Sequence, residues 1–260
     1  MNADRQSLTT VMVVPCYNEA DRLDVDEFLH FAAPRPWLTF LFVDDGSTDS
    51  SADLITTAAQ RSPDQVRTLL LEENSGKAEA VRRGLLAAFA EETDLVGFWD
   101  ADLATPLGEI DSFRRELERK PQLELAIGSR IRTLGNHIER KAVRHYFGRV
   151  AATAVSMILG IPVYDTQCGA KLMRSTPRVR GIFDESFVTR WAFDVEILAR
   201  WLLAARADGD VSADLGIVEI PVSRWVDVEG SKLRFGDFAG APLDIWRIQR
   251  RYGRALRQSR

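Results

Sequence analysis

Short, almost wholly apolar runs, each stopping at a polar cluster and each followed by a helix-length segment, constrain this chain more than any other feature. Thr10 to Val14 is β-branched and apolar, breaks at Pro15 and Asn18, and gives way to an expected helix from Arg22 to Ala33. Leu38 to Val43 (LTFLFV) closes on Asp44-Asp45-Gly46-Ser47, with helix again from Ser51 to Gln60. Val66 to Leu71 precedes Asn74-Ser75-Gly76 and a helix from Lys77 to about Ala90. Asp94 to Asp100 and Leu123 to Ser129 are the next two runs. Between them lies a helix to about Arg119, with Thr105 as predicted N-cap and Pro106 as first residue. Runs this apolar must be covered on both faces, so the pattern predicts an α/β fold with a mostly parallel, doubly wound sheet. Ligands of such sheets bind beyond the carboxyl ends of the strands. That rule gathers Pro15 to Glu19, Asp44 to Ser47, Asn74 to Lys77, Asp100 to Thr105 and Ser129-Arg130 on one rim.

The usual nucleotide signatures are missing from that rim. The first strand ends in Pro15-Cys16-Tyr17-Asn18-Glu19 rather than a glycine fingerprint, which argues against a dinucleotide enzyme, and Gly76-Lys77 lacks the glycine a Walker loop requires. Acidic residues take their place. Asp45 is suited to hydrogen-bonding a base or ribose, Asp44 to bracing the turn; both could equally be turn chemistry, with Asp49 capping the next helix. Lys77 would neutralise a phosphate or simply be a solvated charge. Asp100 and Asp102, at i and i+2 of a strand end, point the same way and need a cation between them. Oxygen ligands of this kind suit Mg²⁺ or Mn²⁺ on a diphosphate, although a D-x-D also ends strands by chance.

Beyond Arg130 the rhythm changes. A basic stretch (Arg132, Arg140, Lys141, Arg144, Arg149) leads to an expected helix from Val150 to Gly160, and further helix and strand are expected at Phe193 to Ala207 and Gly216 to Val222. No linker marks a second domain in the 260 residues: residues 1–239 read as one domain and 240–260 as a basic amphipathic helix. The net charge of −4 gives no reason to expect nucleic-acid binding, and Cys16 and Cys168, far apart, read as buried reduced thiols in a cytosolic setting. The apolar segment Val150 to Val163 is interrupted and falls short of the roughly 20 residues that span a bilayer.

In order and spacing, VVPCYNEADRL, FVDDGSTDSS, NSGKAEAVRRGL, WDADLATP and AIGSR resemble glycosyltransferase family 2, which has the GT-A fold. DTQCGAKLM (Asp165 to Met173), RWAFDVEIL (Arg190 to Leu198) and IPVSRWVDVEGSKL (Ile220 to Leu233) are similar to its dolichyl-phosphate glucosyltransferase branch. The resemblance implies inverting transfer of glucose from UDP-glucose to a polyprenyl phosphate, with a divalent cation. It places Pro15, Tyr17, Asn18, Glu19, Asp44, Asp45, Lys77, Ala101, Ser231 and Lys232 at the donor, and Asp100 and Asp102 at the metal–diphosphate. It assigns Arg130 and Arg144 to the acceptor phosphate, with Arg149 and Gln167 as neighbours. Mannosyl-transferring relatives carry a glutamine where this chain has Ala104, so one metal ligand must come from elsewhere. Asp194 and Glu196 are base candidates for a hydroxyl acceptor, orienting groups for a phosphate, or polar residues opening a core helix.

A lipid acceptor requires contact with a membrane. Val150 to Val163 is apolar enough to dip into an interface. The tail sets Ile245, Ile248, Tyr252 and Leu256 on one helical face and arginines on the other, as a peripheral helix at the inner membrane surface or as a docked helix with a solvated basic face. A soluble family 2 transferase acting on a small acceptor, and a nucleotide-sugar-binding protein without turnover, are the alternatives.

Overall fold

The structure, a computed structural model, describes residues 8–139, 142–210, 213–226 and 235–259. The first half alternates as expected: β1 (Thr10–Cys16), α1 (Val25–Ala32), β2 (Leu38–Asp44), α2 (Ser51–Arg61), β3 (Val66–Leu70), α3 (Lys77–Phe89), β4 (Leu95–Trp99), α4 (Glu109–Arg119) and β5 (Leu125–Ser129). There follow β6 (His137–Glu139), α5 (Ala142–Leu159), β7 (Ala170–Arg174), α6 (Pro177–Gly181), α7 (Phe193–Ala207), β8 (Ile217–Pro221), β9 (Arg224–Val226) and α8 (Phe235–Gln258). Seven strands form one sheet in the order β3-β2-β1-β4-β7-β5-β8, and β6 pairs with β9 separately. One face is covered by α1, α2 and α4 through residues such as Phe28, Ile55 and Phe113. The other is covered by α3, α7 and α8 through Val81, Trp201 and Ile248.

Every pairing in the large sheet is parallel except those of β7, which runs antiparallel between β4 and β5 with Trp99 opposite Ala170 and Ile127 opposite Lys171. Because it is reversed, its entry loop, Asp165 to Gly169, lies at the rim where its parallel neighbours end. The sequence pattern does not show this strand. AKLMR is short and carries Lys171, which is 1% exposed.

Two local expectations are corrected, and the choice left open for the tail is decided. Thr105 is not an N-cap: it is buried, its carbonyl accepts the Trp99 indole N–H at 2.8 Å, and α4 starts only at Glu109. α1 starts after Asp24, whose carboxylate accepts the Glu27 N–H at 3.1 Å, while Arg22 is held by Glu19. The apolar face of the tail is docked. Ile248, Tyr252 and Leu256 are buried against α7, Ile245 packs on that cluster, and Val155, Leu159, Ile161 and Val163 join the same core. α8 is continuous through residue 240.

Candidate active site

The rim is built by loops that staple one another. After β1, Asn18 takes a left-handed φ of 50°, which asparagine tolerates, and its backbone N–H donates to Ser47 Oγ at 2.9 Å. Its side-chain oxygen accepts the Thr48 N–H at 2.7 Å, and the Glu19 N–H donates to Ser51 Oγ at 2.7 Å. The loop after β2 is thereby fixed to the loop after β1. Asp44 Oδ2 accepts the Ser47 N–H at 2.9 Å, closing its own turn as expected, and its buried Oδ1 has no hydrogen-bond partner. Asp45 reaches the opposite way. It accepts from the Ser75 N–H at 2.9 Å, the Gly76 N–H at 2.8 Å and Asn74 Nδ2 at 3.0 Å, so its carboxylate organises the turn that opens α3. Burial pushes the Asp45 carboxyl above its ordinary 3.8, while the two N–H groups pull it down. Gly76 sits at φ 92°, and Arg190 donates to Ser75 O at 3.0 Å across this turn.

The turn delivers Lys77 to the acidic pair. Its Nζ lies 2.5 Å from Asp100 Oδ1. Burial would lower the lysine pKa, but Asp100, Asp194 and Asp102 outweigh it and hold the ammonium above its ordinary 10.5. Asp100 is seated over Gly169: a Cβ there would stand 1.8 Å from Asp100 Oδ2. Asp102 accepts the Ala104 N–H at 3.1 Å, and burial, with the charge of Asp100 next, pushes its carboxyl above 3.8. Leu103 then turns the chain at φ 53°, a conformation costing about 1–2 kcal/mol for a side chain with a Cβ. Two neighbouring carboxylates, one resisting ionisation through burial and then through the charge of the other, fit a hard divalent cation, which commonly takes one or two carboxylates and completes its shell with water and phosphate. Among the described residues no group of three or more His, Cys, Asp or Glu is arranged to hold a metal alone.

Behind the pair lies a buried ion pair absent from the sequence reading. Lys171 Nζ donates to Asp194 Oδ1 at 2.6 Å, to Cys168 O at 2.8 Å and to Thr166 O at 3.0 Å. It therefore shapes the entry loop of β7 and fixes Asp194 at the start of α7. Burial pushes the Asp194 carboxyl up, against Lys171 and Lys77. Glu196 points elsewhere, to α8. Arg130 donates to Asp165 through Nε at 2.6 Å and Nη2 at 2.8 Å, so one edge of its guanidinium is already used. Glu219 of β8 braces that loop by accepting the Tyr164 and Asp165 N–H groups, both at 2.8 Å. The Gln167 N–H caps Asp165 at 3.1 Å, and its buried Nε2 has no hydrogen-bond partner.

The remaining expected residues divide. Pro15 stands opposite Val43 one residue before the end of β1, with Tyr17 directly after the strand, and Ala101 is buried between the two aspartates. Arg144 and Arg149 fall on residues 142–150 of α5, whose side chains lie outside what the structure describes. Ser231 and Lys232 lie outside the described residues; Val226, the last before them, donates its N–H to Ala104 O at 3.4 Å. Cys16 and Cys168 are buried and not joined in a disulfide, Phe193 lies in the core, and Trp191 packs against it. The missed residues are Lys171, Asp165, Glu219 and Arg190. Three of them sit inside motifs whose polar positions were legible but whose partners were not.

A family model described as glycosyl transferase family 2 matches residues 11–177. The chain belongs to that family. Glycosyltransferase relatives extend the likeness over nearly the whole chain. A dolichyl-phosphate beta-glucosyltransferase of Drosophila melanogaster is 34% identical over 96% of this chain and 77% of its own length. The Homo sapiens protein of that name is 32% identical over 93% and 75%. Family 2 members adopt the GT-A architecture, and the fold agrees. A crystal structure of glucosyl-3-phosphoglycerate synthase from Mycobacterium tuberculosis with Mn²⁺, UDP-glucose and glycerol 3-phosphate superposes with a TM-score of 0.65, at 18% identity, covering 95% of this chain and 80% of that one. This family 2 chain is a glycosyltransferase with its acidic pair at the carboxyl rim of the sheet.

Proposed function

We propose that the chain transfers glucose from UDP-glucose to a polyprenyl phosphate with inversion, using Mg²⁺ or Mn²⁺ at Asp100 and Asp102. The observation carrying this reading is the convergence of Lys77, Asp100, Asp102 and Asp194 at one rim, in a chain whose relatives over almost its full length are dolichyl-phosphate beta-glucosyltransferases. The bound cation supplies Lewis-acid neutralisation of charge on the departing UDP. Lys77 adds a cation on the same leaving-group side. The Asp44 and Asp45 turns shape the donor pocket, and Ser231-Lys232 completes it. A phosphate monoester has its second pKa near ~6, so the acceptor arrives largely dianionic and needs positioning more than deprotonation. Asp194, clamped by Lys171, is then an orienting group. The acceptor phosphate falls to Arg144, Arg149, Gln167 and the edge of Arg130 that Asp165 leaves open.

Contact with an anionic membrane surface belongs to the same reading. None of the described helices is long and apolar enough to cross a membrane. Trp246 and Leu243 on α8 and Met157 on α5 are exposed, and Arg247 and Arg250 lie beside them on α8. Exposed tryptophan with arginine is the composition of an interfacial anchor.

The deciding experiment incubates the protein with labelled UDP-glucose, Mg²⁺ and polyprenyl phosphate and follows label into the organic phase. Asp100→Ala and Asp102→Ala should abolish transfer. Transfer to a water-soluble phosphate or hydroxyl instead points to the small-acceptor alternative, and UDP binding without any product points to a protein that does not turn over.

A further inference from the structure

Glu196, on α7, is wholly buried and faces away from the acidic rim. Its oxygens accept the Val188 N–H at 3.0 and 3.2 Å, Arg200 Nη2 at 2.7 Å and the Tyr252 hydroxyl at 2.7 Å. Arg200 completes the network. It donates to Ile182 O and Glu185 O, each at 2.7 Å, to Ser186 O at 2.8 Å, and through Nε to the Tyr252 oxygen at 3.1 Å. The backbone between residues 182 and 188 is thus fastened from below by one carboxylate and one guanidinium, and both are bonded by a single hydroxyl from α8.

The fastened segment leads directly to the rim. Two residues after Val188, Arg190 crosses to Ser75 O, and its Nε lies 3.1 Å from where a Cβ on Gly76 would stand. Its charge acts on Asp45, whose carboxylate organises the same turn. The lever runs from Tyr252 through Glu196 and Arg200 to Val188, and from there to Arg190 and the turn that presents Lys77.

We propose that Tyr252, Glu196 and Arg200 are positioning residues for the donor half of the site, coupling α8 to Arg190 through the 182–190 segment. A buried charge with this many directed hydrogen bonds holds its partners to one geometry, because every alternative leaves an unpaired charge in the core. This inference rests on the donor-site reading above. It adds that the helix bearing the exposed tryptophan and arginines is mechanically continuous with nucleotide binding.

A double-mutant cycle on UDP affinity, measured calorimetrically, tests it. Tyr252→Phe keeps the ring and removes only the hydroxyl, so it avoids the unfolding expected of Glu196→Ala. It should weaken UDP binding by roughly three- to tenfold and raise the KM for UDP-glucose with kcat nearly unchanged. Arg190→Ala should weaken binding at least as much, and Tyr252→Phe should add nothing further in that background. Ile248→Val, which loosens the same helix without touching the network, should lower Tm and leave UDP affinity unchanged. Additive effects of the two variants, an unaltered affinity in Tyr252→Phe, or an equal loss in Ile248→Val would overturn the proposal. Failure of the unmodified protein to bind UDP would instead reject the donor-site reading on which it stands.

Discussion

Gly169 is the residue on which the acidic pair depends most directly. Any side chain there would occupy the place of the Asp100 carboxylate, whose Oδ2 would lie 1.8 Å and Cγ 2.1 Å from the new Cβ. Gly169→Ala should therefore displace Asp100 and reduce turnover by about a hundredfold or more, the scale of an ångström misplacement in an active site. Steady-state rates alongside a thermal melt check this; a fully active variant would show that the site tolerates movement of Asp100. Lys171 makes a complementary point. Its substitution by Met strands Asp194 in the core, and breaking a buried pair in this way costs about 3–5 kcal/mol, readable by urea unfolding. Asp100 and Asp102 were legible from their i, i+2 spacing at a strand end. Lys171 was not, because a lysine inside a short strand reads as a surface charge until its partner is known.

Among the elements, α3 presents the site by its first residue and is steadied along its length. Glu79 accepts from Arg82 at 2.8 Å and Arg83 at 3.0 Å, and Arg82 continues to Phe183 O at 2.9 Å. The Arg82 hydrogen bond, opposed by burial and aided by Arg83, holds the Glu79 carboxyl below its ordinary 4.5. A depressed folded-state pKa contributes stability above the unfolded value and loses it as pH falls through the folded one. Glu79→Gln should thus cost about 0.5–1 kcal/mol near neutrality and flatten the acid limb of the melting curve below 4.5. Thermal melts across that limb decide it: parallel curves for variant and parent would remove the pair from the stability of α3. The parallel strands were legible because each must be apolar on both faces. The antiparallel β7 was not, since five residues with a lysine second and an arginine last carry neither period nor hydrophobic weight. Its reversal is what brings Asp165 to Gly169 to the site.

For the molecule as a whole, α8 decides how the second half is read. Ile248 and Leu256 are fully buried, so the helix closes the core rather than trailing from it. Ile248→Ala should cost about 2–5 kcal/mol in urea unfolding, and deletion of residues 240–260 should abolish folding rather than merely membrane contact. A truncated chain that melts like the parent would return α8 to the status of a tail. What the amino-acid sequence determined by itself is the alternating α/β order, the rim on which its polar clusters meet and the acidic pair upon it. Those properties are local, written in hydrophobic period and in residue types at strand ends. Only the tertiary structure decided which charges answer one another: Lys171 with Asp194 23 residues away, Arg130 with Asp165 35 away, Tyr252 with Glu196 56 away. A buried charge is stable only in the company of its partner, and that company is set by how the strands and helices are arranged.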